Sequence, residues 1–132
     1  MTPRLGIDTS VLVRLAVGEP ARDFQRCIEE LRVLVEDEGR EIFASNQVIG
    51  EACVTIQHHY GVSDVDARAA LVDVLTSGLV APLNGLVVIR ALQTRDNPGL
   101  FDRLIADDYA RAGLETLTLD RRMANLPNVR RL

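Results

Sequence analysis

Lysine is absent from this chain of 132 residues, and all 15 of its basic residues are arginine. A phosphate-binding P-loop and a pyridoxal-phosphate enzyme each need a lysine, so both classes are excluded. A receiver domain and a small-molecule phosphohydrolase are disfavoured for the same reason. The arginines that remain are suited to bidentate contact with phosphate groups.

Tryptophan is also absent, aromatic residues make up 4% of the chain, and cysteine occurs twice. The core of the single expected domain, residues 1–132, must therefore be built from Leu, Val, Ile and Ala. Cys27 and Cys53 form no Cys-x-x-Cys motif, which predicts two small core residues in a reducing cytoplasm. We expect neither a signal peptide nor a membrane span, because no apolar run is long enough for a span and the chain enters a strand-like segment at once.

The negative net charge of −4 is unfavourable for a nucleic-acid partner, but the charge is unevenly distributed. Residues 1–89 contain 7 Arg and 13 acidic residues, a net charge of −6. Residues 90–132 contain 8 Arg and 6 acidic residues, a net charge of +2. Phosphate contact would therefore depend on local arginines rather than on a broad basic surface.

The order of apolar patterns predicts an α/β fold, because short strand-like segments alternate with helices. Such an alternation is typical of a parallel sheet with helices on both faces. The predicted strands are residues 4–8, 41–44, 79–82 (a strand or a connector), 115–119 and 128–132. The predicted helices are residues 11–16, 21–38, 45–60, 63–75, 84–94 and 100–112.

Four acidic residues, Asp8, Glu51, Asp102 and Asp120, lie within or at the ends of apolar segments. A carboxylate in apolar surroundings is unfavourable unless it is paired or bound to a metal ion. Asp8 and Asp120 each end a predicted strand, where the functional sites of α/β sheets form. Several carboxylates meeting there would repel one another, and Mg²⁺ or Mn²⁺ is the simplest remedy. The pattern therefore predicts a metal-dependent phosphodiesterase.

Each of these acids also has an ordinary structural interpretation. Asp8 and Asp120 are suitable helix caps, Glu51 could reach solvent from a helix border, and Asp102 could offset a helix dipole. The metal hypothesis therefore depends on the four together. The adjacent His58 and His59 are poor partners for one metal ion, since neighbouring helical residues point in different directions.

Four segments resemble those of PIN domains, specifically the VapC-type toxins of bacterial toxin–antitoxin pairs. In order, they are GIDTSVLVRL, SNQVIGEA, DRLIADDYARAG and LTLDRRMANLPNVRRL. The resemblance implies a three-layer sandwich of helices around a short parallel sheet. It also implies an endoribonuclease that hydrolyses RNA with metal-activated water, forms a homodimer and is inhibited by a cognate antitoxin. The catalytic and metal-binding residues would be Asp8, Glu51, Asp102 and Asp120, holding Mg²⁺ or Mn²⁺.

Within this hypothesis, Asp8 and Asp102 are the preferred direct ligands, and either one or two ions could bind. The candidate phosphate contacts are Arg103, Arg121 and Arg122. Asp107 stands where these toxins often have alanine, and with Asp108 it is expected to be solvated or to act outside the ligand set. A non-catalytic PIN-fold binding module, acting through antitoxin or operator association, is the alternative.

Overall fold

The structure, a computed structural model, describes residues 3–132. Helices alternate with short parallel strands along this range, which confirms the α/β class expected from the sequence. Every predicted helix is present, with ends shifted by a few residues. The six α-helices in the described range are α1 (Thr9–Val17), α2 (Ala21–Arg32), α3 (Asn46–Tyr60), α4 (Asp64–Leu75), α5 (Leu86–Gln93) and α6 (Leu100–Arg111).

The strands lie in two parallel sheets, whereas the sequence pattern suggested a single sheet. In the first sheet the order is β1-β2-β3, and in the second β4 pairs with β5. Each strand is two or three residues long, so each pairing depends on very few ladder hydrogen bonds. Within residues 3–132 the strands are β1 (Leu5–Gly6), β2 (Ile42–Ala44), β3 (Ala81–Pro82), β4 (Thr116–Thr118) and β5 (Val129–Arg131).

The ends of the helices near β1 and β2 follow from local capping chemistry. Asp8 caps α1 by accepting a hydrogen bond from the backbone N–H of Val11, so the helix begins two residues earlier than predicted. Gly18, with φ of 74°, ends α1 in the left-handed conformation that glycine adopts most readily. The hydroxyl of Ser45 caps α3 by accepting from the N–H of Val48.

The second helix does not remain α-helical to residue 38, as its apolar spacing predicted. It ends as an α-helix at Arg32 and continues as a π-helical turn, Val33–Asp37. The N–H of Glu38 donates to the carbonyl of Val33, which is the five-residue step of a π-helix. The apolar period of 3.6 residues does not distinguish the two helix types over so short a segment.

The hydrophobic core is aliphatic, as the lack of aromatic residues predicted. Cys53 is buried and Cys27 is half-buried, both are free thiols, and burial raises the pKa of each. No helix described between residues 3 and 132 combines the length and apolar character needed to cross a membrane. The largest fully buried side chains are those of Leu12, Ile49, Ile56, Leu71, Val80 and Val88.

The packing of α6 on α3 determines where several polar residues lie. Gly50 of α3 lies against the ring of Phe101, near the start of α6. Asn46, at the start of α3, instead contacts Leu104 and Asp107 further along α6. The two helices therefore run in opposite directions along this contact.

Candidate functional site

Asp8 lies between β1 and α1, with its carboxylate exposed at the carboxyl end of the strand. Its Oδ1 accepts hydrogen bonds from Ser10 Oγ at 2.6 Å and from the backbone N–H of Val11 at 3.2 Å. The Ser10 hydroxyl and then the Val11 amide hold the pKa of Asp8 below its ordinary value. Asp8 is therefore a helix cap and, at neutral pH, an accessible anion.

Glu51 lies on the face of α3 that meets the beginning of α1. Its Oε2 accepts a hydrogen bond from Thr9 Oγ1 at 2.8 Å, and its Oε1 accepts one from Gln47 Nε2 at 3.1 Å. The Thr9 hydroxyl, followed by the Gln47 amide, lowers the pKa of this exposed carboxyl group. Thr9 adjoins Asp8 in the chain, so this bond connects Glu51 to the residue next to Asp8. We call these two acids the Asp8–Glu51 pair.

Asp102 lies in the first turn of α6 and is half-buried. It lines a hollow with Gly50, Cys53 and Gln57 of α3 and with Arg68 of α4. Glu51 does not line this hollow and instead bonds to α1. Asp102 therefore opens onto a hollow between α3, α4 and the start of α6.

Asp120 follows β4, in the two-stranded sheet. Its Oδ1 accepts hydrogen bonds from the backbone N–H groups of Arg122 at 2.7 Å and Met123 at 3.2 Å. Its own N–H donates to Thr118 Oγ1 at 3.0 Å. This exposed carboxylate organises the turn after the strand, which is the capping role open to an acid at this position.

The three arginines considered as phosphate contacts differ in their surroundings. Arg103 donates to the carbonyls of Pro98 at 3.0 Å and Asp96 at 3.3 Å, so it holds the loop before α6. Arg121 and Arg122 follow Asp120 and are exposed. These two side chains are the more available for an anionic partner.

The kind of side chain at the Asp8–Glu51 pair fits a magnesium or manganese ion. Mg²⁺ commonly takes one or two protein carboxylates, keeps several waters and binds substrate phosphate as well. Both carboxylates of the pair are exposed, and hydrogen bonds lower the pKa of each. Among residues 3–132, no three His, Cys, Asp or Glu side chains are grouped closely enough to hold a metal ion. Thr9 thus connects Glu51 to the residue next to Asp8, while Asp102 lies at the start of α6 and Asp120 in the turn after β4.

A second polar group, absent from the predicted site, lies beyond the carboxyl ends of β2 and β3. Asn46 and Asn84 follow these strands and bond to Asp107 and Asp108 of α6. Of the two residues expected to be solvated or outside the ligand set, Asp108 is exposed, whereas the side chain of Asp107 is only 14% exposed and pairs with Arg111. The rule that drew attention to Asp8 and Asp120, a polar residue directly after a strand, would also have selected the two asparagines.

Comparison of the chain with protein-family models, with curated proteins and with solved structures found no match. A function for the chain therefore has to be inferred from its own residues and their geometry.

Proposed function

We propose that the protein is a Mg²⁺- or Mn²⁺-dependent endoribonuclease with a PIN-like fold, the toxin of a type II toxin–antitoxin pair. The observation that carries this proposal is the hydrogen bond from Thr9 to Glu51. It joins the charged, exposed Glu51 to the residue that follows Asp8, a second charged, exposed carboxylate, at the carboxyl end of β1, where α/β folds place their sites. The four sequence segments that resemble VapC-type toxins support the same assignment.

In this proposal Asp8 and Glu51 hold the ion, and Asp102 and Asp120 belong to the same centre by their positions in the resembling segments. When bound, the ion supplies an activated water molecule and neutralises charge on the scissile phosphate. Ser10 and Thr9 orient the two carboxylates and keep them ionised through their hydrogen bonds.

The remaining substrate contact is assigned to basic side chains near the end of the chain. Arg121 and Arg122 are exposed, and they lie in the segment with a net positive charge. We assign them to the phosphate groups that flank the cleaved bond, since guanidinium binds phosphate through paired hydrogen bonds. The proposed partners are a second copy of the chain and a cognate antitoxin, in the cytoplasm.

A non-catalytic module that acts through antitoxin or operator association is the second candidate. The observation that favours it is the role of Asp120, whose Oδ1 is engaged as a cap of its own turn.

An RNA cleavage assay distinguishes the two candidates. Purified protein, free of any antitoxin, is mixed with tRNA and rRNA in Mg²⁺ or Mn²⁺, and in parallel with EDTA. Asp8→Asn is the test variant, because asparagine caps a helix as well as aspartate does but carries no charge. Asp73→Asn, an exposed change on α4, is the matched control.

The nuclease proposal predicts discrete cuts that require the metal ion, persist in Asp73→Asn and disappear in Asp8→Asn. Cuts that persist in Asp8→Asn would contradict the assigned site. If the unmodified protein neither cuts RNA nor binds Mn²⁺, the non-catalytic module is favoured.

A further inference from the structure

A cleft of about 270 Å³ lies between α5, α6 and residues 126–128. Cavities that hold drug-sized ligands have volumes of about 300 Å³ or more, so this cleft is suited to a somewhat smaller molecule. Its walls are mainly apolar, and they include Ala91 of α5, Leu104 and Ala110 of α6, and Leu126. An apolar cleft with a few polar groups is the usual form of a small-molecule binding site.

Two arginines line this cleft from opposite walls. Arg90 belongs to the last turn of α5, and Arg103 lies near the start of α6. A short loop, residues 94–99, joins the end of α5 to the start of α6. Both arginines therefore lie near the end of the cleft that is closest to this loop.

The positive charge of these arginines is not balanced within the cleft. No salt bridge of residues 3–132 includes Arg90 or Arg103. Asp107, a carboxylate that also lines the cleft, pairs with Arg111 and accepts hydrogen bonds from two asparagine amides. The cleft thus has two uncompensated positive charges, although the whole protein has a net charge of −4.

Arg103 is already fixed in position. Its Nε donates to the carbonyl of Pro98 at 3.0 Å, and its Nη2 donates to the carbonyl of Asp96 at 3.3 Å. Its Nη1 makes no hydrogen bond within residues 3–132, and the side chain is half-buried. Because the guanidinium group is held by neutral carbonyls, it keeps its full charge and loses little conformational freedom when an anion binds.

The number of charges indicates which kind of anion fits. A phosphate monoester carries a charge of about −2 at neutral pH, which would balance the two arginines. Guanidinium groups bind phosphate oxygens through paired hydrogen bonds. An apolar group attached to the phosphate would cover the apolar walls of the cleft and remove them from water.

We propose that this cleft binds a small phosphate monoester with an apolar body. Arg90 and Arg103 bind the phosphate group near the loop, and the apolar body lies against Leu104, Ala110 and Leu126. The cleft shares no residue with the Asp8–Glu51 pair, and its occupation does not depend on the nuclease proposal.

Titration of the intact protein with phenyl phosphate, followed by NMR, tests the proposal. The backbone amide signals of Val87, Ala91 and Leu126 report binding in the cleft, and we expect them to shift in a saturable way. Three further probes each lack one feature of the ligand: inorganic phosphate has no apolar body, phenylacetate has a single charge, and benzyl alcohol has none. Each should bind about fivefold or more weakly than phenyl phosphate.

Arg90→Gln removes one of the two charges at an exposed position, where the fold should tolerate the change. This variant should bind phenyl phosphate about fivefold or more weakly, and Arg90→Lys should retain more of the affinity than Arg90→Gln. Arg22→Gln, the same change at an exposed position of α2, is the matched control and should bind as the unmodified protein does.

The proposal is overturned if phenyl phosphate leaves the signals of the cleft unshifted or if Arg90→Gln binds it as tightly as the unmodified protein. Equal affinity for benzyl alcohol would contradict the role of the arginines. Equal affinity for inorganic phosphate would contradict the role of the apolar walls.

Discussion

Thr9 and Glu51, 42 residues apart in the sequence, are joined by a hydrogen bond of 2.8 Å from the threonine hydroxyl to the glutamate carboxylate. This bond connects the first turn of α1 to the middle of α3. It fixes the Glu51 side chain on Thr9, the residue after Asp8, and favours the charged form of Glu51. The bond is therefore the basis of the carboxylate pair to which we assign metal binding.

Replacing Thr9 with valine should raise the pKa of Glu51, because valine has a similar shape but no hydroxyl to donate. Thr9→Ser retains the donor and should leave the pKa of Glu51 close to that in the unmodified protein. The measurement is an NMR titration of the Glu51 side-chain carboxyl carbon. An unchanged pKa in Thr9→Val would show that the hydrogen bond does not form in solution.

The depressed pKa of Asp8 predicts a specific pH dependence of stability. A carboxyl group with a lower pKa in the folded state contributes stability above its unfolded pKa, about 4. That contribution is lost as the pH falls through the folded pKa. Ser10→Ala removes the main donor to Asp8, so its deficit in unfolding free energy should be largest near pH 6 and should shrink below about pH 4.

Urea unfolding of both proteins between pH 6 and pH 3 measures this difference. A deficit in Ser10→Ala that stays constant across the range would mean that the hydroxyl acts through something other than the ionised Asp8.

The contact between Gly50 and Phe101 predicts that the effect of Gly50→Ala on stability changes sign when the Phe101 ring is removed. Alanine is favoured over glycine inside a helix by about 1 kcal/mol. A Cβ at position 50 would, however, lie 2.7 Å from Cζ of Phe101 and force the ring to move. Gly50→Ala should therefore destabilise the unmodified protein but stabilise Phe101→Ala, by up to ~1 kcal/mol.

Thermal or urea unfolding of the two single variants and the double variant completes this cycle. If Gly50→Ala has the same effect with and without the Phe101 ring, then α6 does not pack on α3 at Gly50.

The sequence was sufficient to predict features that depend on neighbouring residues. Ser45 and Gly61 bound α3 as their capping chemistry predicts, and the helix ends at Tyr60 as expected. The aliphatic core likewise follows from composition and apolar period. In each case the deciding interaction lies within a few residues along the chain.

Features that depend on packing between residues far apart in the sequence could not be predicted as well. The apolar spacing in the sequence predicts that Asp102 and Asp107 lie on a helix. It does not predict which residues of other elements they contact. Those contacts depend on how α6 packs: Phe101 lies against Gly50, and Asp107 lies against Asn46 and Asn84. The division of the strands into two sheets depends on a few ladder hydrogen bonds, which apolar patterns do not report.

The central claim, that Asp8 and Glu51 share one divalent ion, is tested most directly by Mn²⁺ titration of Asp8→Asn, Glu51→Gln and the double variant. Broadening of the Ser10 backbone amide signal reports binding at this pair, because Ser10 adjoins its residues in the chain. If the ion is shared, each single change should weaken binding at least tenfold, and the double variant should be little worse than either. Unchanged binding in either single variant would contradict a shared ion.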